Sequence, residues 1–126
     1  VIRLRSSEDG FTLIEVIVVC AIIAVLSATS LQIFIVLRNR SYDARANSDI
    51  RAVAQAEEAY YSASETFKSC ASAADCMLTV PGVSALSPGV TLAITATTTG
   101  FTGTSSHPKG SGIVYRWDSS RGGMAN

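Results

Sequence analysis

The side chains able to do chemistry in this chain are few. Glu15 is a lone carboxylate at the head of an uncharged run, Val16 to Leu37. An acid held in apolar surroundings is costly, about 2.5 kcal/mol or more at the centre of a membrane helix, so Glu15 calls for a partner. Cys70 and Cys76, with five residues between them in a polar stretch, suit a short disulfide loop in an oxidising compartment. With no other ligand nearby, the same pair makes a poor zinc site. Cys20 lies inside the apolar run and reads as a small apolar filler. His107 is the only histidine; no acid follows it at triad or metal-ligand spacing, and beside Pro108 it reads as a solvated loop residue. Asp118, followed by Ser119 and Ser120, offers one carboxylate, thin for a calcium ion that takes six to eight oxygens. Neither a nucleophile elbow nor a Gly-rich phosphate loop occurs. The expectation is a protein that is not an enzyme, with no catalytic residues, no cofactor and no metal.

The elements that carry these residues follow from periodicity. Val16 to Leu37 is 22 residues long, and its only polar members are Ser27, Thr29, Ser30 and Gln32. About twenty such residues cross a bilayer as a helix. Arg3, Arg5, Glu8 and Asp9 precede the run, and Arg38 and Arg40 follow it, so basic residues on the two sides do not fix its orientation. Helical spacing continues beyond it: Tyr42, Ala46, Ile50, Val53 and Tyr60 recur at three, four and seven, with frequent alanine. Glu57 interrupts that stripe. The alternating charges of Arg38 to Arg51 read as a solvated face. One helix from Phe11 to about Ser62 would extend roughly 78 Å, and its first half has no domain of its own to pack against. It needs lipid or other subunits.

From Ser69 onward the helical period ends. Pro81-Gly82 and Pro88-Gly89 mark turns. Val90, Leu92, Ile94 and Ala96 alternate with threonines and Ala93, as in a half-buried strand. Phe101 to Ser106 reads as a second strand, and Ile113, Tyr115 and Trp117 as part of a third. The expected fold is α+β: a long N-terminal helix, half transmembrane and half amphipathic, packed on a small antiparallel meander. The Cys70–Cys76 loop would staple the helix-to-sheet connection, which helps a small core. Ten basic and ten acidic side chains give zero formal charge, so a nucleic-acid partner is not expected. Lys109, Arg116 and Arg121 read as solvation, and the aromatic series Phe11, Phe34, Tyr42, Tyr60, Tyr61 and Phe67 as helix packing.

Gly10-Phe11-Thr12-Leu13-Ile14-Glu15, opening an apolar run, resembles the processing site of type IV pilins and pseudopilins. The resemblance is close over Gly10 to Phe34 and loose beyond. It implies a leader, residues 1–10, cut after Gly10 by a prepilin peptidase. Phe11 becomes the new, methylated terminus, 11–38 the membrane and filament-core helix, and 39–126 the periplasmic or extracellular head. An ordinary secretory leader is cut beyond its apolar core; here the cut precedes the core, which is kept. Cleavage leaves a cationic amine on Phe11, and Glu15 of one subunit is expected to pair with that amine on a neighbour. Many pilins carry a glycine where this chain has Ala24 and a proline where it has Gln32. Both replacements favour an unbroken helix, by about 1 and 3 kcal/mol.

The resemblance thus implies a homopolymeric pilus-like filament for adhesion, motility or uptake. Its partners would be the peptidase and the inner-membrane assembly machinery. The precursor would sit in the inner membrane with a single pass, and the assembled filament at the cell surface. Two rivals stand beside it: a type II secretion pseudopilin, and a monomeric signal-anchored periplasmic binding module that would keep residues 1–10 and be indifferent to Glu15.

Overall fold

The computed structural model describes residues 10–125. The leader expected over 1–10 therefore lies, up to residue 9, outside the described residues. The chain divides into two compact units, 1–36 and 37–126. One α-helix, α1 (Leu13–Ser64), contributes to both.

In the first unit no other described residues pack on α1. Its apolar window averages a hydropathy of 2.5, and none of that window is buried. Val16, Ile17, Val25, Leu31 and Phe34 are each at least half exposed. The polar exceptions are partly satisfied by their own backbone: the Thr29 and Ser30 hydroxyls both donate to the Leu26 carbonyl, at 3.0 and 2.8 Å. A hydroxyl satisfied in this way can sit in an apolar environment without a foreign partner. The helix runs unbroken through Ala24 and Gln32.

In the second unit α1 is amphipathic, and Ala46, Ile50, Val53, Ala54 and Ala56 are buried. It ends where the Ser64 hydroxyl caps the Tyr60 carbonyl and Glu65 turns left-handed at φ 54°. A four-stranded antiparallel meander supplies the rest of the core: β1 (Thr91–Ala96), β2 (Phe101–Ser106), β3 (Tyr115–Asp118) and β4 (Gly123–Ala125). Leu92, Ile94 and Phe101 point inward from the first two strands, with Val80, Val83 and Val90 from the loops. Gly103 stands opposite Ile94 in the register, and any side chain at 103 would collide with the Ile94 methyl. Aromatic packing joins Tyr61 to Phe67, stacked at 4.4 Å, and Phe67 to Phe101 at 5.1 Å.

The α+β architecture is the expected one, with three differences. The sheet has a fourth strand, β4, reached through a 3-10 turn (Ser119–Arg121) that Asp118 caps. A second helix, α2 (Ala73–Thr79), fills the cysteine loop, where no helix is expected from the period. Two turns give almost no periodicity, but Ser72 and Asp75 carry the signal: the Ser72 hydroxyl accepts from the Asp75 amide, and Asp75 accepts from the Ala71 amide. Finally, the charges between Arg38 and Arg51 are not one solvated face. Asp43 and Asp49 are buried, and only the arginines are exposed.

Candidate functional site

The N-terminal segment is built around a helix start. Gly10 and Phe11 precede α1 and are exposed, Phe11 at 84%. Thr12 is the N-cap. Its hydroxyl accepts from the Glu15 amide at 3.3 Å, while Glu15 Oε2 accepts from the Thr12 amide at 2.8 Å and from the Thr12 hydroxyl at 2.9 Å. This reciprocal pattern is a capping box, and it satisfies backbone donors that no helical carbonyl can reach. Glu15 also lies in the first turn, where the helix dipole favours a negative charge.

Glu15 therefore finds donors inside its own chain. The role of Thr12 is a residue that sequence reasoning missed, although the signal was present: Thr-x-x-Glu directly before an apolar run is the capping-box pattern. The box also fixes where the helix begins. The Gly10–Phe11 peptide stays outside it, and nothing among the described residues crowds the Gly10 α-carbon. Phe11, Val16, Val19 and Cys20 share a shallow groove with Glu15. The Cys20 thiol is free and exposed.

In the head, Cys70 and Cys76 are bonded to each other, with Cα atoms 5.0 Å apart. The bridge lies against the sheet edge, because Cys70 pairs with Ile94 through both backbone hydrogen bonds, at 3.0 and 2.8 Å. It joins the start of the cysteine loop to α2.

Three acids on the inner face of α1 each hold a loop. Asp43 accepts from the Ser111 amide and, at 2.6 Å, from the Ser111 hydroxyl. Asp49 accepts from the Ser87 amide at 2.8 Å and its hydroxyl at 3.1 Å. Glu57, wholly buried, accepts from the Lys68 amide at 2.9 Å through Oε2, while Oε1 has no hydrogen-bond partner among the described residues. Burial pushes the Glu57 carboxyl above its usual value, only partly opposed by the Lys68 amide and charge.

His107 is not the solvated residue its turn context suggests. It is buried, stacked on Tyr42 at 4.4 Å. Its Nδ1 accepts from the Lys109 amide at 3.0 Å, which leaves Nε2 to donate to the Pro88 carbonyl at 3.3 Å. Asp118 is engaged too: its Oδ1 accepts from the Ser120 amide and hydroxyl, and Arg121 lies 3.6 Å from Oδ2. The hydrogen bonds from Ser120, followed by the Arg121 charge, hold its carboxyl below the usual range. These polar groups serve packing and capping. Among the described residues no three His, Cys, Asp or Glu side chains gather to hold a metal ion.

Residues 5–31 match the family model of the prokaryotic N-terminal methylation motif, the prepilin signature of type IV pilins and pseudopilins. The match ends inside the apolar run. No curated protein matches the chain.

Proposed function

We propose that this chain, whose N-terminus carries the prepilin signature, is the structural subunit of a type IV pilus-like filament. The signature and the bare apolar helix support a membrane-anchored precursor and a structural subunit in place of an enzyme. The observation that carries the reading is their conjunction: the methylation motif spans the start of a helix whose apolar surface, among the described residues, has no cover within its own unit. Lipid covers that surface first, and neighbouring copies of the same helix cover it afterwards.

The roles follow. A prepilin peptidase cuts after Gly10. Phe11 becomes the methylated, cationic terminus. In the stored subunit Thr12 donates to Glu15 Oε2, and the carboxylate accepts the Phe11 amine of a neighbour during assembly. Residues 11–38 form the filament core, and the head, 39–126, forms the outer surface for adhesion, motility or uptake. The precursor resides in the inner membrane and the homopolymer at the cell surface.

The experiment is the N-terminal mass of the protein in material sheared from the cell surface. A chain beginning at methylated Phe11 in a filament fraction is expected. An intact leader in cells with an active prepilin peptidase would refute the reading. Glu15→Val should insert normally yet yield few filaments; a normal filament yield would remove the assembly role of Glu15.

A further inference from the structure

The head distributes its charge in a way that a formal total of zero conceals. Between Leu37 and Ile50 the sequence alternates Arg38, Arg40, Asp43, Arg45 and Asp49. Folding turns both acids inward, to 5% and 6% exposure, and commits them to Ser111 and Ser87. Arg38, Arg40 and Arg45 remain exposed.

A fourth cation arrives from far along the chain. Tyr42 stacks on His107, and His107 Nδ1 holds the Lys109 amide, so the loop carrying exposed Lys109 is fixed beside this stretch of helix. The Arg38 and Arg45 guanidinium groups lie 5.8 and 5.4 Å from the Tyr42 ring centre. Tyr42 feels all three cations: its phenol is held below the usual range first by the hydrogen bond from Arg38, then by the charges of Arg38, Lys109 and Arg45.

The position of this cluster along the helix gives it a partner. Leu37 is the last residue of the apolar run, and Arg38 follows it directly. At 1.5 Å per residue, Arg38 to Arg45 covers about 2 to 12 Å beyond the run. The polar headgroup zone on each side of a bilayer is about 5 to 7 Å deep, and charge acts about 8 Å further at physiological salt. Helical side chains lean towards the N-terminus, which here is the membrane side, so the long arginines reach back towards the lipid.

We propose that Arg38, Arg40, Arg45 and Lys109 form a collar that binds the phosphates of anionic phospholipids at the bilayer face where the head begins. The inference rests on the membrane-anchored precursor of the preceding section. The collar holds the stored subunit upright at the headgroups, and the subunit leaves it on extraction into a filament.

The test uses the full chain reconstituted in phosphatidylcholine vesicles, with trace spin-labelled phosphatidylglycerol or phosphatidylcholine as probe. The ratio of their association with the protein is expected to favour the anionic lipid several-fold and to fall towards one in high salt. A cation near the surface contributes roughly fivefold, so Lys109→Gln and Arg45→Gln should each lower the ratio by up to that factor. Lys109 is exposed and its role in the loop is through its backbone, so its substitution leaves the fold intact. A wild-type ratio near one, or a ratio unchanged in both variants, would overturn the collar. So would a DNA duplex that binds the reconstituted chain while the lipid ratio stays at one, since the surface would then belong to nucleic acid. Alkaline carbonate separates the two layers of the argument: a chain that washes out of the vesicles refutes the anchor and the collar together, whereas a retained chain with no lipid preference refutes the collar alone.

Discussion

Replacing Asp43 with alanine tests how the head is fixed to its helix. Asp43 is 5% exposed, and its carboxylate accepts from the Ser111 amide, at 3.1 and 3.3 Å to the two oxygens, and from the Ser111 hydroxyl at 2.6 Å. Gly110 lies so close to Asp43 Oδ1 that a side chain there would collide with it. Hydrogen bonds to charged groups contribute about 1.5 to 3 kcal/mol each when lost in isolation. Ser111 is exposed, so in the variant water takes up its donors, and the net loss for Asp43→Ala falls near 2 kcal/mol. For a unit the size of 37–126 each kcal/mol lowers the melting temperature by about 4 to 8 °C, so a fall of roughly 10 °C is expected. Ser111→Ala removes only the hydroxyl and should cost about 1 kcal/mol. The assay is thermal unfolding of the full chain in micelles, read by Trp117 fluorescence. Because the pair acts as one unit, the double variant should melt within about 2 °C of Asp43→Ala. A melting temperature for Asp43→Ala within about 2 °C of wild type would refute the tether, and strict additivity in the double variant would refute the pairing with Ser111.

Two further outcomes follow from the head. Opening the Cys70–Cys76 bridge by Cys76→Ser releases a short loop, and chain entropy predicts a loss of about 2 kcal/mol, measured as the difference in denaturant midpoint between the oxidised wild type and the variant; an unchanged midpoint would show that α2 and the Cys70–Ile94 bridge hold that region alone. Glu57 should make stability depend on pH. Its folded value is raised above the ordinary 4.5 by burial, so the fold favours the protonated acid. The corresponding stability is present below the unfolded value and is lost as pH rises through the folded one. Glu57→Gln, always neutral, lacks that loss, so its stability relative to wild type should rise from pH 4 to pH 7; a difference constant across that range would refute the assignment.

The parts of this protein set by local chemistry are legible in the sequence. A run of 22 residues without charge determines a bilayer-length apolar helix whatever lies beyond it. Alternation places Leu92 and Ile94 inward, and the spacing of Ala46, Ile50 and Val53 marks the inner face of α1. Gly10 to Glu15 lies inside the matched methylation motif, and the capping box of Thr12 and Glu15 was equally readable, being a pattern of four consecutive residues. The short α2 and the three-residue β4 were hidden because so few residues define no period.

Other features could be settled only by the tertiary structure, because their partners lie far apart in the chain. A charged residue on a helix is read as solvated unless a donor is known to face it. The donors for Asp43 and Asp49 are 68 and 38 residues away. His107 stacks on Tyr42, which lies far back in the chain, and its hydrogen bond from the Lys109 amide helps to hold that loop beside the arginines. The sequence by itself determined an apolar helix of bilayer length with the N-terminal methylation motif over its start. The fold decided which charges that helix keeps for itself and which it shows, because burial and hydrogen bonding depend on what the rest of the chain brings alongside.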